Sequence, residues 1–506
     1  MTETEIVRAL SADNPARAEA AATVVRFLDV AVAATGRASF YNTRDEQLAL
    51  EEDAHRAMAA LDRRLYAGLV CSPGATDRSR QLGVLHLLGT PAREHDGDAV
   101  HAVVAALTVP RRLKLFALLA ERRVNNARVR RLILRTVLGS TSLELWSVRY
   151  RDKLAAALRH AWGLRLSGIL RAILTKRLAG GELDPKEHRI LAREIDRWAA
   201  DRTDPAAVRE CVAFVLGAEG PYTLPLPVAY RAARTDLAAG AALPLETLEG
   251  LRGRYHPDEK PARVLELTAA RLTVGQRLAG QRQAARAGVT VEVDLDRYDA
   301  VRLYLYAFAE GMTAEVAAAL DRRAARTAAG LDLAGRRVAL VLDGSASMRG
   351  GTDQPLRPIA AVLALRDALR AAAGTCHDVW IGGVPDGRLV HPAGPTAAAE
   401  ALVAALRTGA ELIVVVGDGY ENAPAGRFAQ VLDAARTLGV AVPVVQLSPV
   451  LAAEAAGLRG YAPDLPLAPV HRPEALELAW CRLMLAADPT AAIPALLRLA
   501  HPEVTA

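Results

Sequence analysis

The sequence predicts two parts of different fold class, an all-helical part over residues 1–330 and an α/β part over residues 331–506. Ala, Leu and Arg, which favour helices, dominate the first part, and β-branched runs are nearly absent from it. The second part alternates short, fully apolar strands with helical stretches, which is typical of a doubly wound, Rossmann-like parallel sheet. At 506 residues, the chain is long enough for more than one core.

Helices of the first part are predicted from apolar residues at helical spacing. One stripe collects the apolar side chains of KLAAALRHAWGLRLSGILRAIL, namely Leu154, Leu158, Trp162, Leu166, Ile169, Leu170 and Ile173. Further helices are predicted over residues 15–33, 45–67, 97–107, 112–120, 127–138, 185–200, 206–217, 260–287 and 299–310. We find no clean internal repeat, so a large bundle and stacked helical pairs of the HEAT or armadillo type both remain open.

Short apolar runs define the strands of the second part. They cover Val338–Leu342, Val379–Ile381, Leu412–Val416 and Val440–Leu447, and helices are predicted between them over residues 358–373, 396–407 and 426–438. In such folds, ligands bind beyond the carboxyl ends of the strands. Two carboxylates stand at these ends, because Asp343 follows the first run and Asp418 follows the third.

The segment ALVLDGSASMRGGTDQP contains the most informative motif of the chain. Asp343, Ser345 and Ser347 form the pattern D-x-S-x-S on one turn directly after a strand. Hard oxygen donors without Cys or His suit Mg²⁺ or Mn²⁺, which prefer octahedral oxygen and keep several waters. The motif therefore indicates a divalent metal site.

Two further ligands are expected from neighbouring loops. Thr396 lies at a predicted helix start, and Asp418 follows a buried strand in LIVVVGDGYEN. Glu421 is either a sixth oxygen near the ion or part of the solvated surface. The simpler alternative is that DGSAS only caps a helix after a strand.

Enzymatic interpretations of Asp343 find no support in the sequence. A phosphoaspartate enzyme of the haloacid dehalogenase type needs a second carboxylate two residues later, where Ser345 stands. Neither the G-x-S-x-G elbow of serine hydrolases nor a GxxxxGK[ST] phosphate loop occurs. No constellation of His, Lys and carboxylates has the spacing that an enzyme acting on RNA would need. We therefore expect a binding protein and no catalysis.

Positive charge is concentrated in one helical segment. The whole chain has a net charge of +6, and residues 111–177 contain 17 basic but only 3 acidic side chains. This imbalance calls for an anionic partner, and guanidinium groups fit phosphates and stack on bases, so we expect RNA. The candidate contacts are Arg122, Arg123, Arg128, Arg130, Arg131, Arg149, Arg151, Lys153, Arg159 and His160. For any single one, a solvated helix face is the simpler explanation.

The first residues, MTETEIVRALSADNPARAEA, are acidic and polar where a secretory signal would be basic and then apolar. No run of about 18 uncharged apolar residues occurs, and the four cysteines lie far apart. We therefore expect a cytoplasmic location without membrane association. We also expect a monomer.

Residues 336–487 resemble a von Willebrand factor type A domain. The match to the metal-ion-dependent adhesion site of that family runs position by position through Asp343, Ser345, Ser347, Thr396 and Asp418. The resemblance implies a bound divalent ion, Mg²⁺ or Mn²⁺, whose open coordination position accepts a carboxylate or another anionic group from a partner.

A helical part followed by such a domain is similar to the TROVE-domain, or Ro autoantigen, family, whose bacterial members are RNA-binding proteins. The segments that carry this resemblance are GRASFYNTRDEQLALEEDAHRAMAAL, NNARVRRLILRTVLGS and VRYRDKLAAALRHAWG, with weaker support from LPLETLEGLRGRYHPDE and YDAVRLYLYAFAEGMT. The resemblance implies a ring of HEAT-like helical pairs closed by the type A domain.

The same resemblance implies the partners. Single-stranded RNA 3′ ends would pass through a basic hole, and structured RNA, such as Y RNA or misfolded noncoding transcripts, would lie on the basic outer surface. An RNA-processing exonuclease is a further implied partner. The alternative is a metal-dependent protein-binding adaptor or scaffold, in which the helical part and the metal site both engage proteins.

Overall fold

The structure is a computed structural model that describes residues 9–10, 15–34, 43–199, 204–268, 295, 298–351, 355–449, 458–470 and 472–500. An all-helical region extends to about residue 330, and an α/β region with a five-stranded parallel sheet follows it. The predicted division into these two classes of structure is confirmed.

The helical region contains helices of 7 to 19 residues. They are α1 (Pro15–Ala33), α2 (Arg44–Leu61), α3 (Arg63–Cys71), α4 (Asp77–Gly89), α5 (Asp96–Ala106), α6 (Val109–Glu121), α7 (Ala127–Leu138), α8 (Leu143–Arg149), α9 (Arg151–Trp162), α10 (Leu164–Leu178), α11 (Pro185–Glu194), α12 (Pro205–Leu216), α13 (Pro225–Ala232), α14 (Leu245–Tyr255), α15 (Pro261–Thr268), α16 (Ala300–Glu310) and α17 (Ala314–Ala328). Residues 269–287 of the predicted helix 260–287, and residues 36–42 of the first resembling segment, lie outside the described residues.

Three helix predictions were wrong because a break within each segment was missed. The helix predicted over residues 185–200 ends at Glu194 as α11, and a 3₁₀ turn over Asp196–Trp198 follows it. The single helix predicted over residues 45–67 is divided at Asp62, whose side chain accepts a hydrogen bond of 2.9 Å from the backbone N–H of Leu65 and so caps α3. The continuous stripe after Lys153 is interrupted at Gly163, where φ is +80°. Ile169 is consequently 40% exposed and does not extend the buried stripe of α9.

The α/β region follows the predicted alternation of strands and helices. Its elements are β1 (Arg337–Asp343), α18 (Arg357–Ala372), β2 (Thr375–Ile381), β3 (Val384–Asp386), β4 (Leu389–His391), α19 (Ala398–Leu406), β5 (Leu412–Val416), α20 (Arg427–Thr437), β6 (Val444–Ser448), β7 (Leu467–Pro469), α21 (Leu476–Ala487) and α22 (Ile493–Ala500). The parallel sheet has the order β2-β1-β5-β6-β7, and β3 pairs with β4 in a separate antiparallel hairpin. The strands β3, β4 and β7 were not predicted, because each has only three residues.

The packing of β1 and β5 in the sheet determines where the polar side chains that follow them lie. Ala339 and Val341 of β1 pack with Val415 of β5 against α19 and α20. Alternation along β1 places Asp343 in the same row as these two residues, one step beyond the last of them. Since β1 and β5 are parallel neighbours, the loops after them open at the same edge of the sheet.

The chain forms two compact units. One comprises Met1–Leu87, Ala92–Val103 and Asp294–Ala506, and the other comprises Leu88–Pro91 and Val104–Val293. In the first unit, α1 packs against α21, and Nε of Arg482 donates a hydrogen bond of 3.0 Å to Oδ1 of Asp29. The predicted boundary at residue 330 thus marks the change from helices to strands, whereas the compact units combine the first helices with the α/β region.

Every helix in the described ranges is too short or too polar to traverse a lipid bilayer.

Candidate metal centre and basic helical residues

The carboxylate of Asp343 is fully buried at the carboxyl end of β1, and both of its oxygens accept hydrogen bonds. Oδ1 accepts from the backbone N–H of Ser345 at 2.9 Å, and Oδ2 accepts from the hydroxyl of Tyr461 at 2.9 Å. Burial, and then the negative charge of Asp418, raise the pKa of Asp343 to about 6. A cation between the two carboxylates would offset both effects.

A chain of hydroxyl groups connects the loop after β1 to the loop after β5. The Oγ atoms of Ser345 and Ser347 are 3.1 Å apart, and Oγ of Ser347 donates to Oδ2 of Asp418 at 3.1 Å. The other oxygen of Asp418 accepts from the backbone N–H of Tyr420 at 2.9 Å. Ser345 is buried and Ser347 is exposed, so the chain leads from the interior to the surface.

Thr396 is buried in the loop before α19, and this loop is tied to both of the others. Its backbone N–H donates to Oδ1 of Asn422 at 2.9 Å. On the other side, the backbone N–H of Ala346 donates to the carbonyl of Gly394 at 2.9 Å. The structure therefore links the three loops that bear the predicted ligands. Asn422 was not among the predicted site residues.

The donor set fits a hard divalent cation. Two carboxylates and three hydroxyls supply oxygen only, which suits Mg²⁺ or Mn²⁺ ligated partly through water. Among the described residues, no group of three or more His, Cys, Asp or Glu side chains has the arrangement of a metal site. Glu421 is used elsewhere, because its carboxylate accepts from the backbone N–H of Phe428 at 3.0 Å, in the first turn of α20.

No protein-family model and no curated protein matches the chain. The resemblances to a type A domain and to the Ro family therefore rest on the residues that carry them.

The predicted RNA contacts lie in the helical unit of residues 104–293, around the two ends of α9. Five of the arginines are exposed, and these are Arg122, Arg123, Arg130, Arg131 and Arg159. Arg130 also donates from Nε to Oδ1 of Asn125 at 3.0 Å. Two of them lie in the loop between α6 and α7, two lie on α7, and Arg159 lies in the last turn of α9.

Two of the predicted contacts hold this loop in place. Nη2 of Arg128 donates to the carbonyl of Leu88 at 3.1 Å, and the ring Nε2 of His160 lies 3.0 Å from the carbonyl of Val124. The amide of Asn125 donates to the carbonyl of His160 at 3.0 Å. The hydrogen bonds of Arg128 and His160 favour a role for these two residues in positioning the exposed arginines.

The remaining candidates, Arg149, Arg151 and Lys153, line a cavity of about 510 Å³ at the N-terminal end of α9. Nη2 of Arg149 pairs with Oε1 of Glu246 at 3.0 Å. Arg151 is anchored inward, because its Nε donates to the carbonyl of Phe214 at 3.0 Å and its guanidinium carbon lies 4.8 Å from the centre of that ring.

Sequence analysis did not predict the other side chains of this cavity, among them Tyr150, Tyr230, Arg254 and Tyr255. Arg254 and Tyr255 are distant in sequence from the basic segment 111–177, so no local pattern connects them with it. The available signal was a tyrosine directly after an arginine in RGRYH.

Proposed function

We propose that this chain is a noncatalytic RNA-binding protein similar to the bacterial Ro proteins. It would bind structured, Y-like noncoding RNA and single-stranded 3′ ends through a basic surface on the unit of residues 104–293. The observation that carries the proposal is the placement of exposed arginines and a cation-lined cavity at opposite ends of α9. At about 1.5 Å per residue, this helix of 12 residues spans roughly 18 Å, a length over which several phosphates of one strand are reached.

For the finer architecture, we propose HEAT-like helical pairs, in a ring or solenoid, and a von Willebrand factor type A domain in the α/β region. Mg²⁺ or Mn²⁺ would be held by Asp343, Ser345, Ser347, Thr396 and Asp418. Its role would be recognition, since an ion ligated partly through water accepts an anionic group from a partner. The hydrogen bonds among the three loops support this assignment.

Salt dependence of RNA binding tests the proposal. Affinity for a labelled single-stranded RNA, measured by fluorescence anisotropy, should fall steeply as salt rises, because released counterions drive phosphate binding. The double variant Arg130→Glu with Arg131→Glu should weaken binding about 10-fold or more and flatten the salt slope. Arg128 is left unchanged because its guanidinium bonds the carbonyl of Leu88.

The control for these charge reversals is Arg407→Glu, an exposed arginine in the α/β region that should leave RNA affinity unchanged. Absence of RNA binding at low salt, together with a nucleic-acid-free absorbance spectrum of freshly purified protein, would overturn the proposal.

A metal-dependent protein adaptor is the second candidate, and the accessibility of the metal centre favours it. Ser347 is exposed and Asp418 is partly exposed, so a carboxylate of a protein ligand has access to an ion held there. In that case EDTA should abolish capture of a protein partner, and the arginine substitutions should have no effect on it.

A further inference from the structure

We propose that the cavity at the N-terminal end of α9 binds a single nucleotide unit of an RNA strand. In this arrangement the phosphate meets the cationic side chains, and the base lies against the tyrosines. We call it the tyrosine cavity, because Tyr150, Tyr230 and Tyr255 line it. Its cationic side chains are Arg149, Arg151, Lys153 and Arg254. The inference rests on the proposed function and adds to it a subsite of defined chemistry.

The size of the cavity suits a small molecule of this kind. Its volume of about 510 Å³ falls within the roughly 300–1,000 Å³ of known ligand pockets. Residues from α6, α8, α9, α13 and α14 contribute to its wall, together with Tyr150, which joins α8 to α9. Five helices therefore converge on one concave site within a single compact unit.

The charges around the cavity favour an anion. Four cationic side chains line it against two carboxylates, those of Asp152 and Glu246. Lys153 and Arg254 are exposed, and within the described ranges neither has a carboxylate at ion-pair distance. The first turn of α9 adds the positive end of a helix of 12 residues to the same place. A phosphate near Lys153 would lie close to that ammonium group, to the guanidinium groups of the cavity and to the N-terminal end of α9.

The aromatic side chains distinguish this cavity from a simple anion site. Tyr230 packs edge-on against Phe214, with ring centroids 5.2 Å apart, and forms a fixed wall. Tyr150 and Tyr255 are half-buried, so part of each ring stays accessible. Successive aromatic faces of this kind are what sequence-tolerant binding of single-stranded nucleic acid uses.

Guanidinium groups lie beside both accessible rings. The guanidinium carbon of Arg149 is 5.4 Å from the centre of Tyr150, and that of Arg254 is 5.4 Å from the centre of Tyr255. Arg234 lies 4.9 Å from the centre of Tyr255 as well. A base against either ring meets both an aromatic face and a cation, whereas a peptide carboxylate would use the cations alone.

The test uses the full chain, with uridine monophosphate, inorganic phosphate and a ten-nucleotide RNA as separate probes. Tyr255→Leu should weaken binding of the mononucleotide and of the RNA about 10-fold, whereas Tyr255→Phe, which keeps the aromatic face, should bind like the unmodified protein. Lys153→Gln, a substitution of an exposed side chain with little effect on folding, should weaken both about 3-fold to 10-fold. Arg171→Gln, an exposed arginine on α10 outside the cavity, is the charge-matched control.

The outcomes separate the cavity from the proposed function. Equal binding of inorganic phosphate and mononucleotide, or equal RNA affinity of Tyr255→Leu and Tyr255→Phe, overturns the nucleotide assignment and leaves RNA binding intact. Mononucleotide binding without any RNA binding overturns the proposed function and assigns the cavity to free nucleotides. Stronger competition by an acidic peptide than by the mononucleotide overturns the assignment in favour of a protein ligand.

Discussion

The hydroxyl of Tyr461 donates a hydrogen bond of 2.9 Å to Oδ2 of Asp343, although 118 residues separate the two in the chain. The backbone N–H of Tyr461 is itself held by Oε1 of Gln446 at 2.9 Å. Gly417 leaves room for the contact between Tyr461 and Asp343. A Cβ at this position would lie 2.6 Å from the tyrosine hydroxyl and 3.0 Å from Cβ of Asp343. A side chain outside the predicted ligand set thus orients the first of the candidate ligands.

If Tyr461 orients Asp343, Tyr461→Phe should weaken Mg²⁺ binding about 10-fold, the lower end of the loss usually found for groups that orient metal ligands. The phenylalanine ring retains the packing against Phe428, whose centroid lies 5.2 Å away. Isothermal titration with Mg²⁺ measures the change. Tyr222→Phe removes a comparable hydrogen bond, to the carbonyl of Ala218 in the other unit, and should leave Mg²⁺ affinity unchanged. Equal loss in both variants would count against a role for Tyr461.

Mg²⁺ should stabilise the folded chain through the candidate centre. A ligand that binds only the folded state at about 100 times its dissociation constant raises the free energy of unfolding by about 2.7 kcal/mol. This shift should disappear in Asp343→Asn and Asp418→Asn, because each variant removes one carboxylate. Thermal unfolding with Mg²⁺ and with EDTA measures it. Asp433→Asn, at an exposed position of α20, should retain the full shift, and a shift that survives in Asp343→Asn would place the ion elsewhere.

Removing the carboxylate of Glu246 should strengthen RNA binding. Its Oε1 holds Arg149 at 3.0 Å, so Glu246→Gln both releases that arginine and removes a negative charge from the tyrosine cavity. We expect a several-fold gain in RNA affinity at low salt that decreases as salt rises. Glu249→Gln on the same helix, whose carboxylate pairs with Arg252, is the matched control. Anisotropy titrations of both variants at two salt concentrations decide the point.

A buried histidine makes the stability of the first unit dependent on pH. His55 is almost fully buried, with Nδ1 at 2.8 Å from the hydroxyl of Tyr66 and Nε2 at 3.2 Å from Oγ of Ser79. Burial, and then the charges of His86 and Arg78, lower the pKa of His55 to about 3. The unfolded chain therefore takes up a proton below about pH 6.5 that the folded chain refuses.

The stability contributed by this neutral histidine is present above pH 6.5 and is lost as pH falls toward 3, by at most about 1.4 kcal/mol per pH unit. In denaturant unfolding between pH 7 and pH 4, His55→Gln should flatten the dependence of the unfolding free energy on pH. His188→Gln, at a residue in the first turn of α11 whose ring lies on an exposed surface, should leave the slope unchanged. An unaltered slope in His55→Gln would contradict the assignment.

Two glycines near the basic helices should respond to alanine with opposite signs. Gly163 has φ of +80°, a backbone conformation that side chains rarely adopt, so Gly163→Ala should destabilise the chain by about 1–3 kcal/mol. Gly168 lies inside α10, where a Cβ would meet nothing within 4 Å. Gly168→Ala should therefore stabilise by about 0.5–1 kcal/mol. Chemical denaturation of both variants provides the comparison.

Local patterns in the sequence were enough to predict the change from helices to a parallel sheet and the carboxylates at the ends of β1 and β5. Apolar runs bounded by polar residues are read within a few positions, and the carboxyl ends of parallel neighbours meet at one edge. The residues at the helix breaks, Asp62 and Gly163, are also local signals. They were missed because apolar residues continue at helical spacing on both sides of each break.

Only the tertiary structure decided which distant segments meet. Tyr461 reaches Asp343, Arg254 and Tyr255 join Lys153 at one cavity, and α21 packs on α1. Periodicity states which face of an element is apolar, whereas the partner of that face is selected by packing between segments far apart in the chain. For the same reason, the compact units do not follow the boundary between helices and strands that the sequence displays.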